Sequence, residues 1–124
     1  MAKILVVDDE EHIIKIIAYK LSAAGHSVIS ARDGQEGLEK ARLEKPDLIL
    51  LDVMMPRLDG FETLALIRRD PETSGIPVFI LTVKGKEGDR LRGQELGADD
   101  YITKPFSPSK LLAQIEEVLH KRVP

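Results

Sequence analysis

The stretch LILLDVMMPRLDG, residues 48–60, decides the fold of this chain. Four large aliphatic residues, Leu48 to Leu51, run without a polar break into the carboxylate of Asp52, and turn residues follow at Pro56 and Asp59-Gly60. An unbroken apolar run of this length between turn signals predicts a strand buried on both faces, as in a parallel sheet covered by helices. Asp52 is therefore expected at the carboxyl end of a central strand, the edge where open α/β sheets bind ligands.

Outward from this strand, short apolar segments alternate with helical patterns. The expected strands are residues 3–8, 27–31, 47–52, 78–82 and 100–103. The expected helices are one that buries Ile13, Ile16, Ile17 and Leu21 and stops at Gly25, and four more at about 35–43, 61–69, 86–96 and 108–120. Strict alternation of this kind requires a parallel sheet with helices on both faces and right-handed crossovers, a doubly wound α/β fold.

Two helices carry local signals of their own. Asp59 is placed to cap the helix that begins near Phe61. The helix at 86–96 is weak, because Gly85, Gly88 and Gly93 lie in or near it and each glycine inside a helix costs about 1 kcal/mol relative to alanine. We therefore expect it to be the most mobile helix.

Length and composition indicate one soluble domain, residues 1–124. A chain of 124 residues can bury a single two-sided core, and a net charge of -3 gives no indication of nucleic acid or an anionic membrane as a partner. The absence of cysteine excludes disulfides and thiolate chemistry, and no segment reaches the roughly 20 apolar residues of a membrane span. A cytoplasmic location is expected. His12, His26 and His120 have no partner at ligand spacing and are expected on the surface.

Several polar residues end the strands of the expected sheet. Because parallel strands point the same way, Asp8, Asp9, Asp52, Thr82 and Lys104 should share one edge. Most have an ordinary explanation when taken alone: the acidic pair suits a helix N-terminus, Thr82 can simply end a strand, and lysines are usually solvated. Asp52, after four aliphatic residues, is less easily explained in this way. Together they form an all-oxygen donor set with one lysine, which favours Mg²⁺ over Zn²⁺.

Such a site suggests phosphoryl transfer. Mg²⁺ held by a few carboxylates typically awaits phosphate oxygens, and Lys104 and the Thr82 hydroxyl could bind the others. A carboxylate can itself accept a phosphoryl group, so Asp52 is the natural nucleophile.

Four segments, VVDDE at 6–10, LLDVMMPRLDG at 50–60, ILT at 80–82 and GADDYITKPF at 97–106, give the chain a family resemblance. Over its whole length it resembles the receiver domain of bacterial two-component response regulators, and residues 80–112 look especially like receivers that precede a winged-helix DNA-binding domain. The resemblance implies a flavodoxin-like fold with strand order 2-1-3-4-5.

The resemblance also implies a role for each matched residue. Asp52 would be the phospho-acceptor, with Mg²⁺ bound by Asp8, Asp9, Asp52 and the backbone carbonyl of Met54. Thr82 and Lys104 would contact the phosphoryl group, Tyr101 would be the aromatic switch residue, and the Lys104-Pro105 bond would be cis. A sensor histidine kinase would be the donor, and a C-terminal or separate output domain the target. The receiver itself would not bind nucleic acid or a membrane.

Two features depart from the family pattern. Val83 follows the switch threonine where a small residue is usual, so its side chain is expected to crowd the site entrance. Gln114 and Glu116 stand where the winged-helix group commonly presents basic residues to a partner subunit. We therefore expect a monomer, or a weak dimer that depends on phosphorylation.

Three other functions fit these residues less well than the switch does. A phosphohydrolase with an aspartate nucleophile usually places a second acid two residues later, where this chain has Met54. A nucleotide or flavin carrier needs a glycine-rich loop after the first strand, where Asp-Asp-Glu-Glu stands. A phosphorylation-dead interaction module would not need the complete acidic set.

Overall fold

The expected alternation of strands and helices is present in the computed structural model, which describes residues 1–55, 58–83 and 87–121. The expected turn at Pro56 and the glycine Gly85 lie outside these residues. In chain order the elements are β1 Lys3–Val7, α1 Glu11–Ala23, β2 Ser27–Ala31, α2 Gly34–Glu44, β3 Leu48–Asp52, α3 Gly60–Arg69, β4 Val78–Val83, α4 Glu87–Glu95, β5 Asp100–Lys104 and α5 Pro108–Lys121.

All five strands form one parallel sheet in the order β2-β1-β3-β4-β5, which confirms the expected topology. The central strand β3 is buried along its whole length, from Leu48 to Asp52. It is buried because neighbouring strands flank it on both sides and helices cover both faces.

Alternate residues of each central strand supply two separate cores. Leu48 and Leu50 of β3 pack on one face with the apolar side chains of α1 and α5. Ile49 and Leu51 pack on the other face with those of α2 and α3. Since strand side chains point alternately to opposite faces, an unbroken aliphatic run is what two covered faces require.

The predicted buried face of α1 is partly wrong. Ile14, Ile17 and Leu21 are buried, whereas Ile16 is 44% exposed and Ile13 lies at the margin of the core. Isoleucines at both 13–14 and 16–17 give two overlapping helical stripes with the same period. Packing against the sheet and α5, which a local pattern does not record, selected the stripe that contains Ile14.

His26 is not a surface residue, contrary to the sequence prediction. Its side chain is 7% exposed, and its Nδ1 accepts a hydrogen bond from the backbone N–H of Ala2 at 3.1 Å. Its Nε2 lies 3.2 Å from a carboxylate oxygen of Glu116 in α5. Both partners are remote in sequence, so no local spacing could reveal them. His12 and His120 are exposed, as predicted.

The start of α3 is fixed by the cap expected at Asp59. The Asp59 carboxylate accepts the backbone N–H of Glu62 at 2.9 Å, and the Glu62 side chain accepts the Asp59 N–H at 3.3 Å. This capping box satisfies two of the free N–H groups at the helix N-terminus. The helix begins at Gly60, whose N–H donates to the carbonyl oxygen of Val53 just after β3.

None of the helices within the described ranges combines the length and apolar character that crossing a membrane requires.

Candidate functional site

Three strand ends deliver charged side chains to the same edge of the sheet. Asp8 immediately follows β1, Asp52 is the last residue of β3, and Lys104 is the last residue of β5. Both carboxylates are buried: Asp8 has no solvent exposure and Asp52 is 3% exposed. Their position follows from the parallel sheet, because every strand ends at this edge.

Lys104 reaches across the sheet edge to the acidic residues. Its Nζ lies 2.9 Å from Asp8 Oδ2, 3.3 Å from Glu10 Oε1 and 3.5 Å from Asp52 Oδ2. The Lys104-Pro105 bond that follows is cis, as the resemblance implied. A buried carboxylate is costly without a counter-charge, and Lys104 supplies that charge here.

The group of carboxylates at this edge includes one more member than the sequence predicted. One oxygen from each of Asp8, Asp9, Glu10 and Asp52 lies within 4.8 Å of the others. Glu10 was not among the predicted site residues, although it stands two residues after Asp8. It precedes α1 at the N-cap position, yet its side chain makes no capping bond and contacts Lys104 instead.

Burial and charge crowding shift the pKa values at this site. Burial, followed by the nearby charge of Asp8, raises the pKa of Asp52 to about 7. Burial by itself would lower the pKa of Lys104, but its hydrogen bond to Asp8 and the charges of Asp52 and Asp8 raise it on balance. Lys104 is therefore a cation near neutral pH, whereas Asp52 is only partly ionised there because it is buried beside another negative charge.

Backbone N–H groups also help to hold the two buried aspartates. Met54 N–H donates to Asp52 Oδ1 at 3.1 Å, and Glu10 N–H donates to Asp8 Oδ1 at 2.9 Å. The Met54 side chain is 63% exposed, so only the backbone of this residue faces the site. These bonds orient the carboxylates from the residues just after each strand.

Thr82 lies at the same edge, but its hydroxyl contacts another element. It is 4% exposed, and its Oγ1 lies 3.4 Å from Asp89 Oδ2 in α4 and 3.5 Å from the carbonyl oxygen of Val83. Val83 itself is 46% exposed. The contact with Asp89 was not expected, because nothing in the spacing of Thr82 and Asp89 suggests it.

Tyr101, the expected switch residue, lies in the strand that pairs with the strand of Thr82. It is half-buried in β5, in register with Ile80 of β4. The guanidinium of Arg90 covers its ring, with the Arg90 Cζ 4.5 Å from the ring centroid. The aromatic ring therefore contacts α4, and it packs against the core on the α2 and α3 face of the sheet.

The donor set fits a hard divalent cation. Four carboxylates approach one another beside one lysine, and with all four ionised the group would carry an excess of about three negative charges. All the donors are oxygens, and no sulfur or imidazole ligand belongs to the group. This chemistry suits Mg²⁺ and not Zn²⁺.

The sequence matches the family model described as the response regulator receiver domain over residues 4–116. It is 50% identical over 119 residues, 96% of the chain, to the alkaline phosphatase synthesis transcriptional regulatory protein PhoP of Bacillus subtilis. It is 46% identical over 121 residues, 98% of the chain, to the phosphate regulon transcriptional regulatory protein PhoB of Pseudomonas aeruginosa. The matches cover 49% and 53% of those proteins, so the chain spans about half the length of these relatives.

Solved structures agree with the fold. A putative response regulator from Chloroflexus aurantiacus superposes with a TM-score of 0.92 at 32% identity, over 96% of this chain and 98% of that one. The chemotaxis protein CheY4 of Vibrio cholerae gives a TM-score of 0.89 at 36% identity, over 95% and 98%. The family match, the relatives and the five-stranded sheet with its acidic edge agree: this chain belongs to the response regulator receiver domain family.

Proposed function

We propose that this domain is a phosphorylation-driven signalling switch in which Asp52 accepts a phosphoryl group from a sensor histidine kinase in the cytoplasm. The observation that carries the proposal is the buried Asp52 carboxylate at the end of the central strand, 3.5 Å from the Lys104 ammonium and beside Asp8. A buried anion with a cation at its edge suits the transfer of a charged phosphoryl group, which depends on positioning and charge neutralisation.

The metal in this proposal is Mg²⁺, held by Asp8, Asp9 and Asp52 with the backbone carbonyl of Met54. When bound, Mg²⁺ would neutralise the carboxylates and bind oxygens of the incoming phosphoryl group. Glu10 lies in the same acidic group and is an additional candidate, either as a ligand or through a bridging water.

The chain's own residues divide the transfer step between them. An oxygen of ionised Asp52 forms a bond to phosphorus while the bond from phosphorus to the histidine nitrogen of the kinase breaks, and the bonding electron pair stays on that nitrogen. Lys104, the Thr82 hydroxyl and the Val83 N–H would contact the phosphoryl oxygens. Because the pKa of Asp52 is about 7 without metal, the nucleophile is only partly ionised until its surroundings become more positive.

We propose that the acyl phosphate formed on Asp52 changes the surface formed by α4, β5 and α5. Thr82 would move toward the phosphoryl oxygens, and Tyr101 would follow. The named relatives are transcriptional regulatory proteins about twice as long as this chain, which supports an output domain or separate partner as the target of that surface. The receiver would act only in its own phosphorylation and dephosphorylation, without contacting DNA.

The first experiment uses a small acyl phosphate with Mg²⁺. Intact mass should increase by one phosphoryl group in the parent chain and remain unchanged in Asp52→Asn. Glu95→Gln, which removes an exposed carboxylate of α4, is the control and should be labelled like the parent. Equal labelling of Asp52→Asn would remove Asp52 from the mechanism.

The second experiment tests the metal. Mg²⁺ should bind weakly without phosphate, raise the melting temperature of the parent, and bind less well to Asp8→Ala and Asp9→Ala. Glu95→Gln again serves as the control. If Asp9→Ala bound Mg²⁺ as tightly as the parent, the ligand assignment would be wrong.

A further inference from the structure

Among the side chains that the structure describes, α4 buries no large apolar residue. Leu91 is 61% exposed, and the buried position is Gly93, where an added Cβ would lie 2.4 Å from Ile80 Cδ1. The helix thus approaches β4 closely through a glycine. Its other attachments use polar and charged side chains, which release more readily than buried aliphatic contacts.

Three neighbouring side chains make those attachments. Arg90 covers the ring of Tyr101, and Arg92 covers the ring of Phe61 in α3 at 4.3 Å from the centroid. Asp89 lies 3.4 Å from the buried hydroxyl of Thr82. Adjacent residues of α4, Asp89 and Arg90, therefore contact the two residues that the proposed switch would move.

We propose that Asp89 is a positioning residue: in the unphosphorylated chain its carboxylate holds the Thr82 hydroxyl toward α4, so that phosphorylation must break this contact and thereby loosen α4. The proposal rests on the proposed function of Asp52. The Thr82 hydroxyl has one proton, and that proton cannot bond Asp89 and a phosphoryl oxygen at once.

The distances make this exchange favourable. At 3.4 Å to Asp89 and 3.5 Å to the Val83 carbonyl, both contacts are longer than the roughly 2.5–3.0 Å of a strong O–H···O bond. A phosphoryl oxygen at normal hydrogen-bond distance is therefore the better acceptor. When Thr82 turns to it, α4 loses one of its few contacts with β4.

The test for the contact is a double-mutant cycle on the unphosphorylated chain, read by amide hydrogen exchange of residues 88–95. In the parent background, Asp89→Ala should speed exchange about threefold, as expected for the loss of one modest hydrogen bond. In a Thr82→Val background, Asp89→Ala should have no such effect, whereas Thr82→Ser should restore it. The same acceleration in the Thr82→Val chain would overturn the proposal, because it would reflect only the charge of Asp89 on the helix.

A second measurement addresses the switch. With the small acyl phosphate and Mg²⁺, Asp89→Ala should gain the phosphoryl group about twofold to threefold faster than the parent, because Thr82 no longer has to leave Asp89. Glu95→Ala, on the same helix without a contact to Thr82, should match the parent. An unchanged or slower rate in Asp89→Ala would overturn the proposal. If the parent gained no phosphoryl group, the proposed function of Asp52 would fail, while the exchange cycle would still decide whether Asp89 holds Thr82.

Discussion

At the scale of single residues, the chemistry depends on the balance between the buried carboxylates and Lys104. Asp52 and Asp8 lie against each other with almost no contact with water, and the Lys104 ammonium is the cation that faces both. The arrangement stores unfavourable charge in the metal-free chain. A bound metal ion or a change in protonation would relieve it, and both effects are measurable.

The first prediction concerns Asp52→Asn, which should stabilise the metal-free protein near neutral pH. Folding raises the pKa of Asp52 from 3.8 to about 7. Between these two values the folded chain holds a proton that the unfolded chain has released, so this group makes the parent less stable as pH rises through that window. At about pH 8 with a chelator, the free energy of unfolding of Asp52→Asn should exceed that of the parent by at least about 1 kcal/mol. At about pH 4 the two should differ little.

Urea denaturation at several pH values measures this difference, and Glu95→Gln controls for the loss of one negative charge. A variant that is less stable than the parent at about pH 8 would show that the Asp52 carboxylate is adequately compensated without metal.

The second prediction concerns Lys104→Met, which removes the cation between the carboxylates. Asp8 is fully buried and lies 2.9 Å from the Lys104 ammonium. Loss of the ammonium leaves this carboxylate without its counter-charge, so the variant should be less stable than the parent in the absence of metal. Mg²⁺ should bind about threefold to tenfold more tightly, because it then neutralises the acidic group without competition from the ammonium. Calorimetric titration measures the affinity, with the exposed Lys110→Met as the control. Weaker Mg²⁺ binding in Lys104→Met would contradict this electrostatic account.

At the scale of elements, the backbone at the end of β3 and the start of α3 are packed against each other without room for a side chain. A Cβ at Gly60 would lie 2.3 Å from the Asp52 carbonyl oxygen and 2.5 Å from Val53 Cα. Both are backbone atoms, so a rotamer change cannot relieve the contact. The position of Asp52 therefore depends on a glycine eight residues later.

The third prediction is that Gly60→Ala costs about 2–3 kcal/mol of stability and also slows phosphoryl acceptance, because relief of the clash must displace the backbone of Asp52. Gly75→Ala is the matched control: a Cβ there meets nothing within 4 Å, and the change should stay within about 0.5 kcal/mol. Thermal unfolding and the phosphoryl-transfer rate measure the two effects. Stability equal to that of the Gly75→Ala chain would show that the loop has room to move.

The helix α4 differs from the other helices in how it is attached. The described helices α1, α2, α3 and α5 each bury at least one leucine or isoleucine, whereas α4 is joined to its neighbours by Gly93, two arginine-aromatic contacts and the Asp89–Thr82 contact.

The fourth prediction is that amide exchange in α4 is at least about tenfold faster than in α1 and α5 under native conditions, because few buried apolar contacts oppose its local opening. Site-resolved hydrogen exchange measures this order, and α1 provides the internal reference. Protection in α4 equal to that in α5 would contradict the interpretation of α4 as the weakly held element.

At the scale of the whole molecule, charged groups on the surface formed by α4, β5 and α5 have partners within the same chain. Asp99 pairs with Arg68 of α3 at 2.8 Å, and Asp100 accepts a hydrogen bond from Gln114 at 3.3 Å. A partner subunit would have to compete with these contacts. With Gln114 and Glu116 in place of basic residues, this surface offers less charge complementarity to a second copy.

The fifth prediction is therefore that the domain is mainly monomeric when unphosphorylated and at most weakly dimeric when phosphorylated. Light scattering at micromolar concentration, with and without a phosphoryl mimic, measures the state. Gln114→Arg is the informative variant, because a cation on this surface supplies the charge complementarity that Gln114 lacks and should strengthen the phosphorylated dimer. A tight dimer of the parent in both states would show that this surface associates through other contacts.

The sequence by itself determined the strands, their order of appearance and the convergence of Asp8, Asp52 and Lys104 at one edge of the sheet. The strands follow from runs of aliphatic residues, which are a local pattern. The shared edge follows from the topology, because parallel strands all end on the same side of the sheet. The cap at Asp59 was equally predictable, because the capping box lies within a four-residue window.

Only the tertiary structure decided which stripe of α1 is buried, that His26 lies between Ala2 and Glu116, and that Thr82 contacts Asp89. Each of these depends on how one element docks against another, and residues far apart in the chain supply the partners. Helical periodicity predicts which residues share a face, but it does not say which of two overlapping apolar faces points to the core. The buried face is set by the packing of the helix against the sheet and α5, because apolar side chains placed there are removed from water.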